Sequence, residues 1–389
     1  MRDVAVIGVG MHPFGKFEDK GLKDLGRVAI WNAIKDAGVS PKDIQVAYSG
    51  NSLAGLLTGQ EGVRGQTITR DAGLSGIPVI NVENACASAS TAFRGAWLEV
   101  ASGQCDVALA VGVEKMFVGD LGKSIAALAA DSDIELARMG LQFAGMYAMA
   151  LKKYMALYGV TPEHFAQVVV KNSHNGSLNP NAQFKKPLMA EKVLGSFVMA
   201  DPITLLMCSS ISDGAAAAIL CAKDLAEQYS SKMPVEVAAC ALRSGIWQAP
   251  GKEFLEDDIV TLTAEQAYQK AGIGPADIDV AEVHDAMSPG EMMLYEELGF
   301  CGKGEARFLV EQGRTRIDCD IPVNPSGGLV SRGHPVGATG LAQVAEIVWQ
   351  LRGEAGERQV ANPRIGLCQN TGGYVDGDAA ACCVTILKV

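Results

Sequence analysis

Pro78-Val79-Ile80-Asn81-Val82, the run 85–101, and Asp106-Val107-Ala108-Leu109-Ala110-Val111-Gly112 follow one another and decide the architecture. The first is a short, β-branched run and reads as a strand. The second is rich in Ala and Ser, with Phe93, Trp97 and Val100 at recurring positions. It reads as a helix whose small side chains let it pack tightly against a flat surface. The third is apolar throughout, as a strand buried on both faces must be. Strand, helix and strand with both faces apolar make an α/β layered fold and exclude a sandwich or a bundle.

The same pattern extends outward. Residues 4–9 read as a buried central strand, 22–36 as a helix closed by Gly38, and 44–48 as another strand. Further on, residues 212–225 resume the core, and a polar span covers 250–258. A helix at 264–271, a strand at 279–283 and a helix after Ser288-Pro289-Gly290-Glu291 come next. A second small-residue helix runs from Gly337 to about Leu351, then strands at 364–368 and 380–387. Each half thus has an elbow, an Ala/Gly-rich helix and a buried strand, which points to an internal duplication. Between 116 and 200 the composition changes. Met139, Met146, Met149 and Met155 are dense, and 172–186 is polar and loop-like. The expected division is a first core half of 1–115 and 201–257, a lid or loop domain of 116–200, and a second core half of 258–389.

At 389 residues, two to three structural units are expected at roughly 150 residues each. Hydrophobic residues make up 48% and charged residues 20%, a globular balance. The formal charge of −11 argues against nucleic acid and anionic membrane as partners. No apolar run is long enough for a membrane span, and the first residues lead straight into strand-like sequence without a signal-peptide layout. Ten cysteines without a CxxC pair point to a reducing, cytoplasmic setting. Cys382 and Cys383 are adjacent in a strand, so their side chains face opposite ways and cannot share a metal. No metal site is expected.

Chemistry concentrates at four places. Cys86, in Asn84-Ala85-Cys86-Ala87-Ser88-Ala89-Ser90, falls between a strand end and a helix start. There the free first-turn amides would stabilise a thiolate and lower its pKa. His334 lies in Ser331-Arg332-Gly333-His334-Pro335-Val336-Gly337-Ala338-Thr339-Gly340, after Asn324-Pro325-Ser326-Gly327-Gly328-Leu329. Imidazole there is suited to take a thiol proton and then donate N–H to a developing oxyanion. His284, followed by Asp285, closes a strand at the end where α/β sheets gather ligands. Gly372-Gly373, after Asn370-Thr371, would supply turn amides for an oxyanion hole together with that of Cys86. Small buried cysteines and structural histidines are the plainer readings of Cys86 and His284. The dinucleotide GxGxxG after a strand, the GxxxxGK[ST] phosphate loop and GxSxG are all missing.

Together these segments resemble the thiolase superfamily, more closely its lipid-transfer-protein-type and archaeal members than the degradative ones. The resemblance spans nearly the whole chain and includes His284-Asp285-Ala286-Met287, where degradative thiolases usually carry Asn for His284. It implies a five-layered αβαβα core of two duplicated halves with an inserted loop domain. It implies coenzyme A as substrate, no tightly bound cofactor, and a dimer or tetramer. By position Cys86 resembles the acyl-accepting nucleophile and His334 its activator. His284 resembles a second oxyanion donor, and the amides of Cys86 and Gly372 resemble the other oxyanion hole. Lys185, in a local basic cluster with Lys152, Lys153, Lys171 and Lys186, is expected to contact coenzyme A, as are Ser326 and Gly327.

The chain departs from the pattern at the residue that handles the proton on the α-carbon. Degradative thiolases use a Cys where Asn370 stands. Lipid-transfer-type thiolases often use one where Ala286 stands. Cys368, Asn370, Tyr374, His284 or a held water are the candidates left. The implied activity is a CoA-dependent thiolase that cleaves or forms a 3-oxoacyl-CoA through a Cys86 acyl-enzyme. The alternatives are a retro-aldolase on a 3-hydroxyacyl-CoA and a non-catalytic lipid-transfer or scaffold subunit. Some relatives work with a small OB-fold and zinc-ribbon partner. The acyl group and the direction of reaction stay open.

Overall fold

The structure, a computed structural model, describes residues 1–140, 142–246, 258–375 and 377–389. Its main strands are β1 (Val4–Gly15), β2 (Val46–Gly50), β3 (Val79–Val82), β4 (Val107–Glu114) and β5 (Asp213–Ala222) in the first half. The second half carries β6 (Val235–Ser244), β7 (Val280–Glu282), β8 (Ile365–Gly372) and β9 (Ala381–Lys388). Their order is β3-β2-β4-β5-β1-β6-β9-β8-β7. The seam between halves is thin: β1 meets β6 only at Ala5↔Glu236 and Val6↔Val235. Each half is therefore a sheet of its own, hinged to the other along one short edge. Val323 bridges Ala281 in parallel, marking where a fifth strand of the second sheet would lie.

Three apolar cores stack across these sheets. One packs α1 (Leu22–Ala37) on the outer face of the first sheet through Leu25, Ala29, Ile30 and Ala33 against Ile7, Leu109 and Ile219. The middle core holds α2 (Ser88–Ala101) and a second central helix, Thr339–Arg352, between the two sheets. The third packs the helix Ile259–Ala271, together with part of the loop domain, on the outer face of the second sheet. That is helix, sheet, helices, sheet, helix, as expected. The small residues of the central helices serve this geometry. Ala89, Ala92, Ala96, Ala342 and Ala345 are fully buried, which a helix pressed by sheets on both sides requires. Cys383 joins the middle core and Cys382 the outer one, the opposite facing expected of strand neighbours.

The duplication is visible in a second pair of segments, which carries no reactive residue to draw attention to it. Asp36-Ala37-Gly38-Val39-Ser40-Pro41-Lys42-Asp43-Ile44-Gln45-Val46-Ala47 is repeated as Lys270-Ala271-Gly272-Ile273-Gly274-Pro275-Ala276-Asp277-Ile278-Asp279-Val280-Ala281. In both copies a left-handed glycine ends a helix, and an Asp carboxylate accepts the backbone N–H three residues back at 2.8 Å (Ser40 and Gly274) before a strand begins.

Two expectations about boundaries need correction. β6 pairs with β9 from Glu236↔Lys388 to Ser244↔Ala381, so 235–244 belongs to the second half, not the first. The expected break at 257/258 is too late; much of the polar span at 250–258 lies outside the described residues. The stretch 172–186 also begins as helix. Pro162–Ser177 is one element with Asn172, Ser173 and Asn175 buried; the two Asn amides tie the loop domain to the second half, while the Ser173 hydroxyl bonds Val170 O and Leu188 N within the loop domain. Polarity there reflects internal hydrogen bonding rather than solvent.

Candidate active site

Each central helix is entered through a 3₁₀ turn, Ala85–Ala87 before α2 and Val336–Ala338 before Thr339–Arg352. Each turn lies against a strand of the opposite half, and a glycine makes room for it. A Cβ on Gly372 of β8 would sit 2.2 Å from Asn84 O and 2.5 Å from Ala87 N. A Cβ on Gly112 of β4 would sit 2.4 Å from Gly337 O. The two elbows are thereby drawn to one place between the sheets.

The first elbow is tightly specified. Ala85 adopts φ +47°, a left-handed conformation that costs a non-glycine residue about 1–3 kcal/mol. Local hydrogen bonds hold it there. The Ala85 N–H donates to Glu83 Oε1 at 2.6 Å. Ser88 Oγ accepts from Asn84 N at 2.9 Å and donates to Ala85 O at 2.7 Å. The result aims Cys86 into a cavity.

His334 arrives from the other side. Gly333 at φ +106° turns the chain, and Ser212 Oγ accepts the His334 N–H at 3.0 Å. Behind it the Arg332 guanidinium is buried, donating to Glu282 at 2.8 Å and to Ser326 Oγ at 3.1 Å. Asp285 Oδ1 accepts the Leu329 N–H at 2.7 Å, so the acid beside His284 anchors the segment that carries His334.

His334 Nε2 lies 3.3 Å from Cys86 Sγ. Its Nδ1 lies 2.7 Å from Thr339 Oγ1, whose hydroxyl donates to Pro335 O at 3.1 Å. With that proton committed, Thr339 accepts from Nδ1–H, and Nε2 is left as the acceptor for the thiol. His284 completes the cluster. Its ring packs edge-on to His334 at 5.1 Å, and one ligand atom each from Cys86, His284 and His334 lies within 4.8 Å of the others. Thr371 Oγ1 is 3.0 Å from His284 Nδ1, while Nε2 is buried without a partner among the described residues. A hydroxyl donating to Nδ1 leaves the ring proton on Nε2, in a residue that lines the cavity.

Electrostatics differ from the expectation for the thiol. Burial pushes the Cys86 pKa well up, with the carboxyls of Asp131 and Glu114 adding; the amides of Cys86 and Gly373 oppose them. Desolvation outweighs the helix-start dipole, so the resting group is a neutral thiol rather than the thiolate anticipated. Burial likewise holds His334 well below the usual histidine range, helped by His284 and Arg332, and takes His284 down to about 3. Both rings are neutral at pH 7.

The cavity, about 340 Å³, is lined by Cys86, His284, His334 and the 371–374 turn, with Met146, Tyr147 and Met287 among its apolar walls. Gly372 and Gly373 both line it, and the amide that opposes the rise in the Cys86 pKa is that of Gly373. Tyr374 also lines it. Several expected residues do not. Cys368 is buried in the middle core, and Asn370 accepts from Ser90 Oγ at 3.1 Å in the central helix layer. Both lie on the face of β8 turned from the cavity, so neither meets the α-carbon. Ser326 is consumed by Glu282 and Arg332. Lys185 is exposed and bonds Pro180 O at 2.8 Å. Gly327 packs against the Gly176 backbone. Of the other basic residues, Lys171 is buried against Glu291 and donates to Val323 O, so it is structural.

Comparison with known proteins agrees with this geometry. Residues 4–224 match the thiolase N-terminal domain and 252–387 the thiolase C-terminal domain-like family. The chain belongs to the thiolase family. This thiolase is a CoA-dependent acyltransferase, 48% identical over 96% of its length to acetyl-CoA acetyltransferase of Methanothermobacter thermautotrophicus, covering 97% of that protein. It is 38% identical, over 96% of its length and 95% of the other's, to the benzoylsuccinyl-CoA thiolase subunit BbsB of Thauera aromatica. Among solved structures the Ltp2-ChsH2(DUF35) aldolase superposes with a TM-score of 0.82 at 25% identity, covering 100% of this thiolase and 98% of that chain.

Sequence reading missed Thr339 and Thr371 as the partners of the two histidines. Both stand inside quoted motifs, but a hydroxyl beside glycines carries no signal of its own. Asp131, which lines the cavity, has no local signal at all. Among the described residues no helix is long and apolar enough to cross a membrane.

Proposed function

We propose that this thiolase cleaves and forms 3-oxoacyl-CoA thioesters through an acyl group carried on Cys86 Sγ. The observation that carries this is the 3.3 Å approach of Cys86 Sγ to His334 Nε2 inside a shared cavity. In cleavage, Sγ adds to the 3-keto carbon while its proton passes to His334 Nε2. The amides of Cys86 and of the Gly372-Gly373 turn stabilise the oxyanion formed at that carbon. The C2–C3 bond then breaks, and His334 and His284, donating through their Nε2 atoms, hold the thioester enolate oxygen of the departing acyl-CoA. A CoA thiol attacks the acyl-enzyme and frees Cys86. Synthesis is the reverse.

A neutral thiol beside a neutral imidazole suits this sequence. Charge appears only as the substrate enters, in a site with donors already in place. The cavity falls in the range of roughly 300–1,000 Å³ typical of pockets that enclose whole ligands. Acyl groups larger than acetyl, branched or aromatic, are therefore expected alongside acetoacetyl-CoA. Among the described residues β3 is an edge strand with a free side, which supports a homodimer or tetramer. The Ltp2-ChsH2(DUF35) aldolase, which joins two proteins, supports a protein partner here, and the family resemblance makes that partner a small OB-fold and zinc-ribbon protein. Ten unpaired cysteines fit a cytoplasmic setting.

The test is intact mass after incubation with a 3-oxoacyl-CoA in the absence of free CoA. An acyl adduct on Cys86, absent from Cys86→Ala along with turnover, is expected. Turnover by Cys86→Ala, or no adduct with any substrate the protein cleaves, would overturn the reading.

A further inference from the structure

The proposed cycle needs a group that gives a proton to C2 on cleavage and removes one on condensation. Cys368 and Asn370 lie behind the cavity wall, and His284 is used on the oxygen. Four carboxyls line the cavity, Asp131, Asp258, Glu297 and Asp378; the last three act on one another, and of the four it is Asp131 that acts on the Cys86 thiol. Asp131 ends the 3₁₀ turn Ala129–Asp131 of the loop domain, and that turn is zipped onto the glycine turn after β8. Tyr374 N–H donates to Asp131 O at 3.2 Å, and Asp133 N–H donates to Tyr374 O at 3.2 Å. Asp131 thereby lines the same cavity as Cys86. Its Oδ1 accepts from Ser52 Oγ at 2.8 Å, while its Oδ2 is buried with no partner among the described residues. A buried carboxylate oxygen left unpaired is costly, and one that borders a reaction cavity has a reason to be there.

We propose that Asp131 is the catalytic acid/base at the α-carbon, replacing the cysteine that this chain lacks, with Oδ2 as the atom that exchanges the proton. This rests on the Cys86–His334 reading above. In cleavage, the C2–C3 bond breaks with its electron pair on C2, which takes the proton from the Asp131 carboxyl. The incoming CoA thiol gives its proton to solvent, from which the Asp131 carboxylate regains one, and the CoA thiolate attacks the acyl carbon without help from Asp131. The Cys86 sulfur leaves and takes back the proton held by His334. Condensation runs the same transfers backward, Asp131 carboxylate removing the C2 proton of the second acyl-CoA.

The charge environment agrees. Burial pushes Asp131 up to about 7, against the Ser52 hydrogen bond and with Glu114 and Glu83 adding. A group near half-protonation at neutral pH works in both directions. The titratable groups that act on it or are acted on by it are Glu83 after β3, Glu114 at the end of β4, and Cys86 on the elbow.

The experiment follows acetyl-CoA in D₂O with two readouts, the acetyl adduct on Cys86 and deuterium entering C2. Asp131→Asn should keep the adduct and lose C2 exchange by roughly 10²–10⁴-fold. Exchange at the native rate in Asp131→Asn overturns the proposal. A native protein that forms no adduct sinks the Cys86 reading instead, so the two failures are distinct. Should Asp131→Asn lose both readouts, Ser52→Ala decides. It keeps the carboxyl but removes the hydrogen bond that holds its pKa down, so the acid limb of the exchange profile must move to higher pH. An unmoved limb overturns the proposal.

Discussion

The elbows at 84–88 and 335–339 occupy equivalent places in the two halves, yet they carry different chemistry. Both are 3₁₀ turns leading into a buried central helix, and both press on a glycine of the opposite sheet. The first places a sulfur at the turn; the second has Gly337 there and delivers its imidazole from the residue before Pro335. The connections from strand to elbow differ as well. β3 runs directly into its elbow, whereas the second half interposes 324–335 between Val323 and its turn. That extra segment is held by Asp285, Glu282 and Ser212. Duplication thus supplied two converging helix starts, and divergence made one a nucleophile and the other its base.

The comparison breaks most sharply at the two glycines. Gly372→Ala and Gly112→Ala each place a methyl where backbone already stands, so each should destabilise by about 1–3 kcal/mol or more in urea unfolding. Their effects on chemistry should diverge. Gly372→Ala displaces the Cys86 elbow and should abolish acyl-adduct formation. Gly112→Ala presses on Gly337 O at 2.4 Å and on the Ala89 side chain at 2.7 Å, so it disturbs the His334 elbow through its backbone and the Cys86 helix through a side chain, and should slow acylation rather than abolish it. Equal and small losses from both would mean that neither approach positions the pair.

Much of this is legible in the sequence. Continuous apolar strands and two Ala-rich helices give the layers, because burial on both faces leaves a composition that nothing solvent-facing would tolerate. Cys86 and His334 stand out because strand ends, glycines and prolines bracket them. What stays hidden depends on distance in space. Whether Cys368, Asn370 or Asp131 meets substrate is set by strand facing and by how the loop domain folds over 373–374. The thiol pKa escapes sequence reading for a related reason: the helix start is local and visible, while the desolvation and the Asp131 and Glu114 carboxyls that outweigh it come from distant segments.

A second measurement sharpens the contrast through pH. An ordinary histidine near 6.5 would cost acylation roughly tenfold between pH 7 and 5.5, as protonation removes the base. Burial lowers the His334 pKa, so the neutral form persists as pH falls through that window. The rate of Cys86 acylation by acetyl-CoA, which breaks no bond at C2, should therefore stay flat from pH 7 to 5.5. A fall with a midpoint near 6.5 would show an imidazole in contact with water, and the buried pair would be wrong.

The smallest effects separate the two hydroxyls at the starts of the central helices, Ser88 and Thr339. Each donates to a backbone carbonyl behind its elbow, Ser88 to Ala85 O at 2.7 Å and Thr339 to Pro335 O at 3.1 Å. Only Thr339 also meets an imidazole. Thr339→Val should free His334 to rotate and change tautomer, slowing acylation about tenfold, or ~1.4 kcal/mol, with KM little altered. Ser88→Ala should act on stability instead, by about 1–3 kcal/mol, because it removes two hydrogen bonds to backbone, with Asn84 N and Ala85 O, and no ring partner. Its acylation rate should fall by clearly less than in Thr339→Val and keep the native pH profile. If Ser88→Ala slowed acylation as much as Thr339→Val, the two hydroxyls would share one structural role, and the Nδ1 contact would not be what fixes the base.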